Sequence, residues 1–402
     1  MIVKRTKRSI KKVIRSVQSL FNFYHFIFND LKKIQEAEIL FILPYFQTGG
    51  AERVHLNIVK SVKDKKLCIL FTHNSATENF KKDFLQYAKI IEINEILTKK
   101  NNSINEFLKL RISKAINKSL SIKSIFASNT NFFYEILPQI NQDIIKIDLV
   151  HAISNENKTI VEHYINSSDK INYRIVINKA AYNAISLNYS SYGVSKAAYK
   201  KLVIIENAIE IHENEKLEKR KDINIGFVGR WSKEKRPEIF LKIAKKIKKE
   251  EPSISFLMAG IGMKSNVTKM KKFDISFSGE ITNDETLNSF YKSLTFLLIT
   301  SYREGFPMVI IEAMAQGVIP ISTNVGGISE HLTSFENGVL IDNSVNENEI
   351  VLQFVEVILK LIRNKEEMTR ISINTFNYSK EHFNIKEFNK KYRAYLLDEN
   401  NQ

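Results

Sequence analysis

From Glu38 onward, short continuous apolar runs alternate with stretches of mixed polarity at helical spacing. "EILFILPYF" is the first run, and its lack of period-two alternation is the pattern of a strand buried on both faces. It ends at "QTGG". "AERVHLNIVKSV" follows, with Val54, Leu56, Val59 and Val62 at roughly helical intervals. "LCILFT", "KIIEI", "SIFAS", "IDLVHAI", "YRIVINK" and "KLVIIENAI" predict further strands separated by helical or polar stretches. The charged segment "IHENEKLEKRKD" interrupts the series, which restarts as "INIGFVGR", "SISFLMAG", "DISFSG", "TFLLIT" and "VIPIST". Buried strands alternating with helices predict an α/β protein with a parallel sheet in each half. The charged segment then marks the boundary between a domain over 38–212 and a second over 213–380. Two doubly wound domains facing each other place the C-terminal ends of their strands along a shared cleft.

A length of 402 residues agrees with two cores, and 44% apolar residues suffice to fill them. Cys68, the single cysteine, lies inside "KLCILFT" and reads as strand filler. It offers neither a disulfide framework nor a metal cluster, which fits a reducing compartment.

Charge changes the picture at the N-terminus. The chain carries a net +16, which implies anionic company: nucleic acid, acidic lipid or phosphorylated substrates. "MIVKRTKRSIKKVIR" holds seven Lys/Arg and no acid, and "LFNFYHFIF" follows at once. That apolar run is too short to span a bilayer and lacks a small-residue cleavage site. Residues 1–37 read as a basic, aromatic-rich extension, with 1–33 lying on an anionic membrane surface. The alternative is a solvated basic arm whose rings pack on the body of the protein. A nucleic-acid-binding protein would also explain the charge, but its cations should line a surface, and the dense cluster here is N-terminal.

Four strand-end loops carry candidate chemistry. In "TGGAER", Gly49 and Gly50 let backbone approach a ligand as a helix begins, with Glu52 in its first turn. In "GFVGRWSKEKRPEIF", Arg230 and Lys235 share one short loop, and Pro237 opens a helix with Ile239, Phe240, Ile243 and Ile247 inward. Two cations there form either a phosphate clamp or an ordinary basic loop. "MAGIGMKS" has Gly260 and Gly262 but Ser265 where a dinucleotide fingerprint needs a third glycine, which argues against a nicotinamide or flavin cofactor. "TFLLITSYREGFPM" delivers Glu304, then Gly305 and Pro307, and then a helix carrying Glu312. Free N–H groups of Phe306, Met308 and Val309 at that helix start could hold an anion. Glu304 and Glu312 could reach opposite ends of an elongated ligand through vicinal hydroxyls. The simpler reading of Glu312 is a carboxylate on the wet side of an amphipathic helix.

Taken together, these residues resemble the retaining family 4 glycosyltransferases of the GT-B superfamily (glycosyl transferases group 1). "EGFPMVIIE" is similar to their Glu-x7-Glu motif, "VGRWSKEKRP" to their phosphate loop and "AMAQGVIPISTNVGGISE" to the segment that follows. "LPYFQTGGAERVHLNIVK" is similar to their N-terminal glycine loop and "KLVIIENAIEI" to the strand before the interdomain linker. The resemblance covers roughly 38–395. It implies a GT-B fold of two Rossmann-like domains and transfer of a sugar from a nucleotide-sugar donor to an acceptor hydroxyl, with retention. It places Arg230 and Lys235 on the leaving diphosphate and Glu304 on the donor sugar. It places Glu312 on the ribose, and Gly49, Gly50 and Phe306, Pro307, Met308 and Val309 around the donor. His151 falls where family members often hold a histidine near the donor sugar, although "AISNEN" departs from the commoner pattern. "EKRP" stands in place of the frequent Glu-Lys-Gly.

No metal and no cofactor are expected, since Asp-x-Asp is missing and fixed cations can stabilise the leaving charge. The resemblance further implies a saccharide or lipid-linked saccharide acceptor in bacterial cell-surface polysaccharide or lipopolysaccharide assembly. The expected location is cytoplasmic, peripheral on the membrane's inner face, with no nucleic-acid partner. A nucleotide-sugar epimerase on the same fold is the alternative within that resemblance. "HFNIKEFNKKYRAYLL" has Phe383, Phe388, Tyr392 and Tyr395 near helical spacing, and residues 381–402 are expected to cross back to the first domain.

Overall fold

The computed structural model describes residues 21–97, 102–153, 158–211, 217 and 220–399. Thirteen strands form two sheets among these residues. The first comprises β1 (Ile39–Leu43), β2 (Leu67–Phe71), β3 (Ala88–Glu92), β4 (Ser124–Ser128), β5 (Ile145–Val150), β6 (Tyr173–Val176) and β7 (Leu202–Ile204). The second comprises β8 (Asn224–Val228), β9 (Ser255–Ala259), β10 (Ile275–Phe277), β11 (Phe296–Ile299), β12 (Ile319–Thr323) and β13 (Val339–Ile341). The helices that bear on function are α1 (Leu31–Gln35), α2 (Gly50–Ser61), α3 (Asn102–Lys118), α4 (Pro237–Glu250), α5 (Asp284–Ser293), α6 (Met308–Met314) and α7 (Ile385–Leu396).

Strand order is β3-β2-β1-β4-β5-β6-β7 in one sheet and β10-β9-β8-β11-β12-β13 in the other, with every pairing parallel. Each order runs outward one way, then restarts beside the first strand and runs the other way. The crevice at that switch lies between β1 and β4 in the first domain and between β8 and β11 in the second, where such sheets bind ligands. β1, β2, β4 and β12 are buried at every position, as strands covered on both faces must be. β13, in "GVLID", is a strand that the sequence pattern did not indicate.

The second domain's first helix, α4, shows how local sequence sets an element. Pro237 occupies N1, Glu238 the first turn and Lys248 and Lys249 the last, in line with the helix dipole. Ile239, Phe240, Ile243, Ala244 and Ile247 form the buried face.

Helix α7 returns to the first domain. Phe388, Tyr392 and Leu396 are buried, Ser124 on β4 donates to the Leu396 carbonyl at 2.7 Å, and Arg393 grips Asp64 at 2.6 and 3.0 Å.

The N-terminal segment departs from the expected extension. Phe26 is fully buried and shares a core with Leu31 and Ile34 of α1, Ala37, Leu40 and Ile112, so the first domain's packing begins well before residue 38. Phe23 lies partly buried against Phe107 of α3, with ring centroids 5.9 Å apart. Phe21, Tyr24 and Phe28 face outward, Tyr24 and Phe28 stacked at 8°. The seven-cation stretch expected to meet the membrane lies outside the described residues. Among the described residues no helix is long and apolar enough to cross a membrane.

Candidate functional site

The loops after β8 and β11 are neighbours because those strands are neighbours, and this brings the candidate charges together. Lys235 Nζ donates to Glu304 Oε1 at 2.5 Å, and the Ser301 hydroxyl donates to the same oxygen at 2.5 Å. Backbone bonds stitch the two loops into one unit. The Tyr302 N–H donates to the Glu234 carbonyl at 2.8 Å, and the Thr300 hydroxyl to the Lys235 carbonyl at 2.9 Å. Arg236, in the left-handed region at φ 47°, donates to the carbonyls of Thr300 and Ser301 at 2.7 and 2.9 Å. Arg230 is different. It stands largely in solvent, 4.0 Å from Glu234, and closes the loop's outer side. Trp231 and the strand end are held by close packing. A Cβ on Gly260 (φ 137°) would sit 1.9 Å from the Gly229 carbonyl oxygen, so glycine here serves the approach of β8 to β9.

Glu312 lies on α6, eight residues beyond Glu304, and is nearly buried. The Tyr291 hydroxyl of α5 donates to its Oε2 at 2.8 Å, and Arg53 Nε of α2 stands 3.6 Å from Oε1. Arg53 also donates to Asp284 at 2.6 Å. A side chain of the first domain thus reaches two carboxylates of the second across the cleft. Arg53, Tyr291 and Asp284 were not singled out in the sequence. The "GGAER" loop was, but only through its glycines and Glu52.

Gly49 caps α2, Gly50 begins it, and both line the cleft opposite Phe306, Pro307, Met308 and Val309. Glu52 folds back over Gly49, and burial raises its carboxyl above the usual range. Met308 and Val309 form the first turn of α6 behind Pro307, where their N–H groups have no intrahelical partners. The Phe306 carbonyl accepts from Asn207 of the interdomain linker at 3.2 Å.

His151 directly follows β5 and lines the same cleft. A Cβ on Gly305 would lie 2.3 Å from the His151 carbonyl oxygen, so this glycine lets the Glu304 loop close on the first domain. Burial pushes the His151 imidazole down to about 4. Arg230, Lys235, Glu304, His151, Glu312 and both glycine loops therefore line one cleft of about 430 Å³ between the domains. Its size suits a ligand of drug-like or nucleotide dimensions. Chemically it pairs two cations at a switch point with two carboxylates that can accept from hydroxyls.

Similarity to known proteins extends over both halves of the chain. Residues 208–378 match the family model of glycosyl transferases group 1. The chain is 27% identical over 355 residues to the uncharacterized glycosyltransferase MJ1178 of Methanocaldococcus jannaschii, covering 84% of this chain and 92% of that one. The crystal structure of Anabaena Alr3699/HepE with UDP and glucose superposes with a TM-score of 0.70 at 18% identity, over 90% of this chain and 99% of that one. The pneumococcal O-GlcNAc transferase GtfA with UDP and GlcNAc gives 0.70 at 13% identity, again over 90% and 99%.

Proposed function

We propose that this chain, whose residues 208–378 match the glycosyl transferases group 1 family model and whose two domains superpose on GT-B structures, moves a sugar from a nucleotide-sugar donor to an acceptor hydroxyl with retention at the anomeric carbon. The observation that carries the reading is the convergence of Lys235, Glu304 and Glu312 on one interdomain cleft beside the β8/β11 switch point.

Ribose hydroxyls donate to Glu312, and the diphosphate lies between Lys235 and Arg230, with the Phe306–Val309 turn beside it. The sugar rests between Glu304 and His151. As the bond from the anomeric carbon to phosphate oxygen breaks, charge develops on the leaving phosphate, and fixed cations stabilise it in place. The acceptor oxygen bonds to the same face of the carbon, and its proton passes to the departing phosphate. No protein base and no metal ion is needed for that sequence. The acceptor is a saccharide or lipid-linked saccharide of bacterial cell-surface polysaccharide assembly, reached from the cytoplasmic membrane face. Outward Phe21, Tyr24 and Phe28 beside the basic N-terminus support that location.

Donor turnover with a panel of nucleotide sugars and acceptors tests the reading. Activity is expected to survive EDTA, and Lys235→Ala or Arg230→Ala to lower kcat by roughly 10²-fold or more. Loss of turnover in EDTA with rescue by divalent metal would overturn the cation clamp. Conversion of the donor to another nucleotide sugar without any acceptor would replace transfer with epimerisation.

A further inference from the structure

Behind His151, away from the cleft, stands His55. It lies on α2, one turn beyond the glycine loop, and is 1% exposed. The two Nε2 atoms are 3.0 Å apart, with ring centroids at 5.1 Å and planes at 59°. A hydrogen bond between two imidazole nitrogens requires one to carry the proton and the other a lone pair. His55 Nδ1 is buried and meets no partner.

Two assignments satisfy the contact. If His151 donates, His55 must keep its own proton on Nδ1, where a buried N–H finds no acceptor. If His55 donates, its proton is on Nε2 and the unmatched atom is a bare lone pair. An orphaned buried N–H is the rarer defect, so the second assignment is favoured.

We propose that His55 is a positioning residue for the transfer reaction: its Nε2–H donates to His151 Nε2, holds that ring in place and fixes it as the Nδ1–H tautomer. His151 then offers the cleft a hydrogen-bond donor, suited to a donor-sugar hydroxyl, and not an acceptor. The tautomer of a functional histidine is commonly set in this way by the bond at its other nitrogen. The role toward the sugar rests on the proposed transferase reading, whereas the tautomer assignment does not.

The surroundings favour neutral rings. Burial, and then the nearness of His151, lower His55 well below the usual imidazole range, and burial lowers His151. Carboxylates on these and adjoining elements include Glu52, one turn earlier on α2, Asp148 on β5, which pairs with Arg174, Glu387 on α7 and Glu304 beside Gly305. None makes a hydrogen bond or ion pair to either ring among the described residues.

Two-bond ¹⁵N–¹H spectra of the full-length protein labelled at histidine, assigned with His55→Gln and His151→Gln, read the tautomers directly. Expected are a protonated Nε2 on His55 and a protonated Nδ1 on His151, at neutral pH and without any substrate. A protonated Nε2 on His151 would overturn the assignment, whatever the enzyme's activity.

Kinetics then test the positioning. His55→Phe keeps the ring volume but removes the donor, and should lower kcat about tenfold, the rate equivalent of one neutral hydrogen bond. Affinity for the free nucleotide should stay unchanged. His55→Gln, whose amide N–H reaches the same place, should recover most of the rate. Equal kcat for folded His55→Phe and wild type would overturn the role, as would equal losses for Phe and Gln.

Discussion

Glu312 sits among Ile310, Ile311 and Met314, and desolvating a carboxylate there is costly unless donors offset it. Tyr291 donates a hydrogen bond to it, and Arg53 of the opposite domain stands 3.6 Å away as an ion-pair partner, so the protein itself offsets part of that cost. The contact of Glu312 with a ribose belongs to the proposed reading. Ribose hydroxyls are held alike before and during reaction, so Glu312→Gln should weaken binding of free nucleoside diphosphate and raise KM more than it lowers kcat. The proposed reading puts Glu304 beside the anomeric carbon, where positive charge builds, so Glu304→Gln should depress kcat. Nucleotide affinity should hold or tighten, because Lys235 loses its carboxylate partner. Calorimetry with the free nucleotide and steady-state kinetics separate the two; a loss of nucleotide affinity confined to Glu304→Gln would reverse the assignment. Lys235, Glu304 and Glu312 were legible because charges on short loops at strand ends signal a site. Arg53 and His55 were not, because their partners lie about 100 to 260 residues away and meet them only through topology, and Tyr291 was not, because it meets Glu312 from a separate helix. The buried histidines also set a pH dependence. Unfolded histidine binds a proton near pH 6.5, whereas His151 resists until about 4, so the unfolded state holds more protons in that window. Stability from these rings should therefore fall as pH drops from about 6.5 toward 4. Glu52, raised by burial, acts with the opposite sign. Comparing thermal midpoints of wild type and His151→Gln cancels that contribution, and the variant should show the shallower slope. Parallel curves would exclude the histidine's share.

Parallel strands buried on both faces announce themselves as unbroken apolar runs, which is why twelve of the thirteen described strands stood out in sequence. β13 did not, and its place comes from pairing with β12. The N-terminal segment shows the opposite problem. Its aromatics read as one membrane-facing run, yet helical winding divides them: Phe26 turns into the core while Phe21, Tyr24 and Phe28 remain outside. Phe107 and Leu110 of α3 are also exposed and broaden the apolar surface. Phe21, Tyr24 and Phe28 are the rings of this segment that the proposed membrane contact would use. Each basic residue near an anionic surface contributes about 1 kcal/mol, and interfacial aromatics add to it. Wild-type protein should co-sediment with anionic vesicles in a salt-sensitive way, and Phe21→Ser, Tyr24→Ser, Phe28→Ser combined should reduce recovery while leaving the thermal midpoint nearly unchanged. Equal recovery of both proteins in the pellet would remove these rings from any anchoring role.

Two sheets with a cleft between them suggest two bodies free to unfold separately, but the packing argues for one. A single contiguous apolar cluster runs from Ile39 and Phe126 of the first sheet through Ile299, Phe306 and Met314 of the second, and on to Phe383, Tyr392 and Leu396. Polar contacts cross the same boundary: Asn79 to Glu280 at 3.0 Å, Arg53 to Asp284 at 2.6 Å, and Glu330 accepting from the backbone N–H groups of Lys179 and Ala180 at 2.8 and 2.7 Å. Tyr392 is the keystone that can be tested. It is fully buried on α7, and its ring meets Phe388 at 4.5 Å and Phe126 of β4 at 6.2 Å. Tyr392→Ala should cost about 3–5 kcal/mol, the range for emptying an aromatic site in a core. The chain carries one tryptophan, Trp231, packed in the second domain far along the sequence from the first sheet, so its fluorescence reports that domain alone. Circular dichroism reports both. If the shared core makes unfolding cooperative, the two probes coincide in wild type, and Tyr392→Ala moves the Trp231 transition as far as the dichroism transition. A Trp231 transition that stays put while the rest of the signal moves would mean that the first domain melts alone and that α7 belongs energetically to it.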